Sequence, residues 1–265
     1  SFTHTEPRIT SSGSEVLLAW QRDDSSETNL SVRYRVFDRI DGPGDDPVRH
    51  LDTQYLGASA GNTWMPELAG SKAGFAIAGL RGLSDYQGFQ AFVQRIDRDG
   101  EMEGEAINGE LTDEKYQSDA VASMNDDGDM VLAWCRTELD ETQHVVHAPI
   151  LAGDSQPANQ PVRATPDNGS QSFVGERYLV YGRDLGGVGI KPAGVFNPDW
   201  PELSIGLSGA QALYPRVASH EGGGAVAWLE STSGFNAELH VQAFGDDAST
   251  LSASGSERVI PTVNP

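Results

Sequence analysis

A short apolar run recurs five times along the chain, and no other feature constrains the fold as strongly. The copies are Val16 to Trp20, Phe75 to Gly79, Met130 to Trp134, Tyr178 to Gly182 and Ala225 to Trp228. The clearest of them follows Asn125-Asp126-Asp127-Gly128, a turn-forming group, and therefore reads as a buried strand entered from a tight turn. Copies spaced by about 50 residues over a whole chain mark a repeat architecture.

The neighbouring residues repeat with it. Pro7, Pro66 and Pro215 each stand 13 residues ahead of the last residue of a run, Trp20, Gly79 and Trp228. In the third copy Asp119 is expected to take the proline's place, 15 residues ahead of Trp134, with two extra residues in the Asp-rich turn. Downstream, Val32-Arg33-Tyr34-Arg35-Val36 and Leu239-His240-Val241-Gln242-Ala243 alternate, as strands with one wet and one buried face do. Shorter apolar runs at Val48 to Leu51, Glu105 to Ile107, Pro161 to Ala164, Leu203 to Ile205 and Arg258 to Ile260 supply a fourth strand. Four antiparallel strands per repeat cannot bury both faces alone, and stacking them around an axis solves this. The expectation is an all-β, five-bladed β-propeller of four-stranded antiparallel blades, one domain over 1–265. Its blades are placed at 1–57, 58–113, 114–165, 166–210 and 211–265. Tyr181 stands in the tryptophan position of the irregular fourth repeat.

Thirty glycines and 14 prolines suit many short strands joined by tight turns. The formal net charge is -21, and Lys72, Lys115 and Lys191 are the only lysines among 18 basic residues. Such a surface repels phosphate backbones, so nucleic-acid binding is not expected. Acidity with little lysine also suits a salty medium that screens self-repulsion, so a marine or halophilic source and an ordinary acidic secreted protein both fit. The single cysteine, Cys135, directly follows a strand tryptophan and reads as a small buried apolar residue. No run is long and apolar enough for membrane insertion, and no leader is expected, as in a mature or excised piece of a larger multidomain protein.

The segment Ala91 to Trp134 resembles a bacterial β-propeller repeat of secreted and cell-surface proteins. The resemblance rests on Gln94-Arg95-Ile96-Asp97, Gly100, Gly104-Glu105, Ile107-Asn108, Gln117, Val121-Ala122, Asp127-Gly128 and Val131 to Trp134. Asp119 for a proline and Gly79 for a tryptophan depart from the pattern. The resemblance implies propeller architecture and an extracellular or cell-surface location, and it implies no particular chemistry.

Chemistry is expected where connections gather at one propeller face. Arg22, Arg81, Arg136 and Arg183 stand two residues past the strand anchor in four repeats, and Glu230 replaces them in the fifth. They form either a partial ring of guanidiniums for carboxylate or sulfate, or ion pairs with neighbouring acids that hold the blades together. Tyr55 and Trp64, Tyr116 and Tyr214 are expected in the connections that lead into the innermost strands of the second, third and fifth blades. They suit either stacking against sugar rings or wedging between blades. Glu67 and Asp119, on adjacent blades beside Glu6, Arg8, Glu176 and Arg216, are the candidate catalytic pair, with structural ion pairing as the alternative use. Asp97 and Asp99, and Asp127 and Asp129, give two turns the composition of calcium loops, although Asp-Gly is also ordinary hairpin chemistry. His144 and His147 lie three apart on a strand and so point to opposite faces, which argues against shared metal ligation.

The leading expectation is a non-catalytic extracellular or surface module for adhesion, recognising glycans or a cell-surface protein partner through one propeller face, with no cofactor besides calcium. The alternatives are a polysaccharide-active glycoside hydrolase or lyase with channel carboxylates, and a structural or assembly domain of a larger surface or virion protein.

Overall fold

A computed structural model describes residues 2–24, 30–42, 47–51, 60–83, 89–110, 116–138, 142–157, 161–163, 169–174, 177–183, 186–192, 202–206, 211–220, 222–231, 237–246 and 251–261. They form twenty strands in five four-stranded antiparallel sheets, each built from strands consecutive in sequence. The first sheet is β1 (Phe2–Ser12), β2 (Glu15–Asp24), β3 (Leu30–Asp38) and β4 (Arg49–His50). The second is β5 (Ala60–Ser71), β6 (Gly74–Leu83), β7 (Phe89–Ile96) and β8 (Met102–Asn108). The third is β9 (Tyr116–Met124), β10 (Met130–Thr137), β11 (Gln143–Ile150) and β12 (Val162–Arg163). The fourth is β13 (Gly169–Val174), β14 (Tyr178–Arg183), β15 (Val188–Pro192) and β16 (Leu203–Ile205), and the fifth is β17 (Ala212–His220), β18 (Gly223–Ser231), β19 (Ala237–Asp246) and β20 (Leu251–Pro261).

The five recurrent runs fall on β2, β6, β10, β14 and β18, the second strand of each sheet. Their apolar character follows from burial, on both faces in β6, β10 and β14 and on one in β2 and β18; in β10, Met130 to Cys135 are all buried. Four apolar cores lie between consecutive sheets. Leu17, Ala19, Val32 and Tyr34 of the first sheet pack on Phe75, Ile77 and Phe92 of the second. Trp134 of the third sheet packs against Leu80, Ala91 and Val93 of the second. Tyr181 of the fourth sheet enters the core with Val121, Ala133 and Val145 of the third, which is the place expected for a tryptophan. Trp228 of the fifth sheet meets Tyr178, Val180 and Ile190 of the fourth. Each such fully buried large side chain contributes about 2–3 kcal/mol of transfer free energy. Gly206 is required by this last contact: its φ is +68°, and a Cβ there would fall 2.5 Å from Trp228 Cζ2.

Polar ties supplement the cores. Tyr34 donates its hydroxyl to the Gly100 carbonyl at 3.1 Å, Arg95 donates to the carbonyls of Gly128 and Leu151, and Tyr178 donates to Asp246 Oδ2 at 2.8 Å. Each bond joins one sheet to the next.

The first strands of four sheets share one irregularity. In β1, β5, β9 and β17 two residues oppose one: Glu6 and Pro7 against Trp20, Met65 and Pro66 against Gly79, Asp119 and Ala120 against Trp134, Tyr214 and Pro215 against Trp228. These are β-bulges at one repeated position. The register corrects the sequence alignment. Ala120, not Asp119, occupies the proline's place, Asp119 is equivalent to Glu6, Met65 and Tyr214, and the Asp-rich turn is one residue longer than in the other repeats.

Candidate functional site

Each bulge forces its first residue into a left-handed backbone: φ is 51° at Glu6, 52° at Met65, 51° at Asp119 and 51° at Tyr214. Non-glycine residues adopt this conformation at a cost of about 1–2 kcal/mol, and a following proline crowds three of the four further. A strained conformation repeated in four sheets presents four different side chains at equivalent depth: two carboxylates, a thioether and a phenol.

The residues that follow bring the sheets together. Arg8 of the first sheet donates from Nε to Glu67 Oε1 of the second at 3.2 Å, and Arg216 Nη2 of the fifth reaches the same oxygen at 3.4 Å. Both arginines also fold back on the carbonyl of the proline before them, at 3.2 Å for Pro7 and 3.0 Å for Pro215. Glu6 pairs with Arg8 at 3.2 Å. Asp119 of the third sheet completes the group. Burial raises its pKa above the ordinary carboxylate value, against a hydrogen bond from Ser118 and the nearby charge of Arg216. Four sheets thus converge on one charged constellation: Arg8, Glu67, Asp119 and Arg216.

The guanidiniums past the strand anchors are engaged within the structure. Arg81 donates to Gln90 Oε1, and Gln90 passes its own amide to the Gly109 carbonyl at 2.8 Å. Arg136 pairs with Glu110 of the neighbouring sheet at 3.0 Å and with Glu138 at 2.7 Å. Arg183 pairs with Glu202 at 3.5 Å. Arg22 lies close enough to Arg33 that its charge, after burial, helps hold the Arg33 pKa below its ordinary value. Glu230, in the equivalent place of the fifth sheet, is buried 3.5 Å from His240, whose ring stacks on Trp228 and whose Nδ1 meets Glu257.

Trp64, Tyr116 and Tyr214 lie on strands, not in connections as expected, because the first strands of their sheets begin earlier than the sequence pattern suggests. Trp64 is in β5, Tyr116 opens β9, and Tyr214 is the bulge residue of β17, 60% exposed. Tyr55 and Glu176 lie outside the described residues. In the Asp-rich turns, Asp97 Oδ1 accepts the amides of Asp99 and Glu101 at 2.9 and 2.7 Å, and Asn125 Oδ1 accepts those of Asp127 and Asp129 at 3.0 and 2.9 Å. Asp129 accepts from Ala152 N at 2.9 Å, tying two turns of the third sheet. Among the described residues no group of three His, Cys, Asp or Glu is arranged to hold a metal ion. His147 is buried on β11, and desolvation, with Lys191 nearby, lowers its pKa to about 4. Cys135 is buried. No helix among the described residues is long and apolar enough to cross a membrane.

No family model and no curated protein sequence matches the chain. Solved structures do. The chain shares the fold of propeller-like glycoside hydrolases and sialidases. A Hadza microbial sialidase is similar over 94% of this chain and 57% of its own, with 13% identity and a TM-score of 0.59. A thermostable family-43 glycoside hydrolase is similar over 100% of this chain and 96% of its own, with 13% identity and a TM-score of 0.51. A polysaccharide lyase is similar over 97% of this chain and 58% of its own, with 15% identity and a TM-score of 0.56. The chain therefore spans little more than half of the sialidase and lyase chains, and nearly all of the family-43 enzyme.

Proposed function

We propose that the five sheets close as a five-bladed propeller, and that the chain is an extracellular or cell-surface enzyme cleaving glycosidic bonds of an acidic glycan at its axis. The observation that carries this reading is the convergence of Glu67 and Asp119 with Arg8 and Arg216 from four sheets. Two carboxyl groups in unlike surroundings are what acid–base cleavage of a glycoside requires. Asp119, favoured in its protonated form by burial, donates a proton to the glycosidic oxygen as the bond breaks. Glu67 is held by two guanidiniums in the free protein. When a substrate carboxylate takes those guanidiniums, Glu67 is released to accept a proton from the attacking water. The similarity to a sialidase, a glycoside hydrolase and a polysaccharide lyase supports a glycan as the substrate class.

A binding-only reading is favoured by one feature: Glu67 is already neutralised by Arg8 and Arg216, while the exposed Tyr214 offers an aromatic face beside them. Both readings meet one experiment. The purified chain is incubated with sialylated, uronate-containing and sulfated glycans, with and without calcium, and assayed for binding and for new reducing ends. New reducing ends without unsaturation support hydrolysis, reducing ends accompanied by unsaturated ends support a lyase, and binding without either supports the module. Silence across the panel overturns both.

A further inference from the structure

Wherever φ is positive the chain uses glycine, except at the bulges. Thirteen described glycines have a positive φ, and the only other described residues that do are Glu6, Met65, Asp119 and Tyr214. Glu6 pairs with Arg8 and Asp119 takes a hydrogen bond from Ser118, so two of the four serve the charged constellation. Met65 and Tyr214 bring no charge to it. Each still holds its strained backbone, with φ of 52° and 51°, and each leaves a large apolar side chain more than half exposed, at 55% and 60%.

Neither feature serves the fold. Glycine adopts this backbone without strain, and a side chain open to water gains little from burial that could offset the strain. Strain kept where packing does not demand it points to function. Both residues adjoin the constellation. Met65 stands two residues before Glu67 and Tyr214 two before Arg216, so they lie at the two ends of the Arg216–Glu67 contact, each within about 7 Å of its end from Cα to Cα. The Met65 amide donates to Gln21 Oε1 of the first sheet at 3.3 Å, which holds this bulge while the thioether stays open. In β17 the bulge opposes Trp228, whose indole packs on the fourth sheet, so Tyr214 does not belong to the face that ring closure turns to the first sheet.

We propose, resting on the glycan site inferred above but on binding there and not on cleavage, that Met65 and Tyr214 are its two saccharide platforms, each carrying one ring of an acidic oligosaccharide that spans the Arg216–Glu67 contact. A pyranose ring has an apolar C–H face. A phenol ring takes that face by stacking, and a polarizable thioether adapts to it. The sugar's carboxylate lies on the guanidiniums of Arg8 and Arg216. Because the platforms stand on different sheets, an oligosaccharide meets both and a monosaccharide only one. The ligand class is therefore an acidic oligosaccharide engaged along its chain, not a lone terminal sugar.

Calorimetry on the full chain tests this with two pairs of probes: sialic acid against sialyllactose, and glucuronic acid against the tetrasaccharide of alternating glucuronic acid and N-acetylglucosamine. The recovered sugars are sized by mass spectrometry to read cleavage. In at least one pair the oligosaccharide binds at least about tenfold more tightly than its monosaccharide, as one further ring contact gives. Met65→Gly and Tyr214→Ala each lower that affinity about tenfold, and Tyr214→Phe, which keeps the ring, lowers it less. Leu151→Ala removes a 51% exposed side chain beyond the far end of β10 and binds as wild type. In Met65→Gly the urea midpoint rises while affinity falls, a divergence that neither a structural role nor a misfolded variant produces. Wild-type affinity in Met65→Gly or Tyr214→Ala, equal binding within both pairs, or no binding by the wild-type chain would overturn the proposal. A glycan held by both platforms and recovered uncut supports it and overturns only the cleavage reading.

Discussion

Arg216 of the fifth sheet reaches Glu67 of the second at 3.4 Å, across a chain separation of 149 residues. The same Glu67 oxygen receives Arg8 of the first sheet at 3.2 Å, so one carboxylate ties three sheets together. Glu67→Gln removes the charge and keeps the shape. The side chains of Arg8 and Arg216 are 33% and 46% exposed, so water compensates and stability falls by about 1 kcal/mol or less. Turnover falls far more, about a hundredfold or beyond, because the group receiving the water's proton is gone. Urea midpoints and glycan-cleavage rates measured side by side separate the two effects.

Asp119 gives the account a pH signature. Its pKa in the folded chain is raised by burial, so over the interval between its ordinary value and the raised one the folded state binds more protons than the unfolded state. Stability from this group is therefore highest at low pH and is lost as pH rises through that interval. Asp119→Asn removes this slope, which melting temperatures of the two proteins across acidic pH will show. Cleavage falls as pH rises through the same raised pKa, because the acid must carry its proton, and the variant loses about 10²-fold to 10⁴-fold in rate.

At Met65 the strain can be relieved without touching a charge. Its φ is 52° and its side chain is 55% exposed, so Met65→Gly loses little packing and relaxes a left-handed backbone. Stability rises by up to about 1 kcal/mol, the gain being reduced by glycine's greater freedom when unfolded. Chemical denaturation of the variant measures it.

Arg136 acts between sheets. It pairs with Glu110 and Glu138, and its side chain is 16% exposed. Arg136→Met keeps the aliphatic stem and strips the charge, leaving two carboxylates facing each other, and costs roughly 2 kcal/mol. Affinity for glycans is unchanged if Arg136 serves only the architecture, and a binding titration on the same variant reads this out.

Much of the fold was legible because the second strand of each sheet packs on a neighbouring sheet, and in β6, β10 and β14 is buried on both faces, and so carries an apolar run that repeats. The bulges were not. A bulge adds one residue to one strand, and only the pairing of Ala133 with Val121 and of Cys135 with Ser118 reveals that Asp119 and Ala120 together oppose Trp134. The aromatic residues were placed in connections for a related reason: β5 starts at Ala60, ahead of Trp64, and no local pattern marks that start. Glu67, Asp119, Arg8 and Arg216 were visible as charges on inner strands, but their meeting was not. It depends on contacts between residues as far apart as Arg216 and Glu67, which no local spacing encodes.

The central claim is that the axial carboxylates cleave an acidic glycan, and a time course of new reducing ends tests it most directly. Wild-type chain and Asp119→Asn are incubated with the same sialylated and uronate-containing oligosaccharides. The account predicts steady release by the wild type and release reduced at least about a hundredfold in a variant that still binds. Equal release by both, or none by a wild type that binds the glycan, would contradict it.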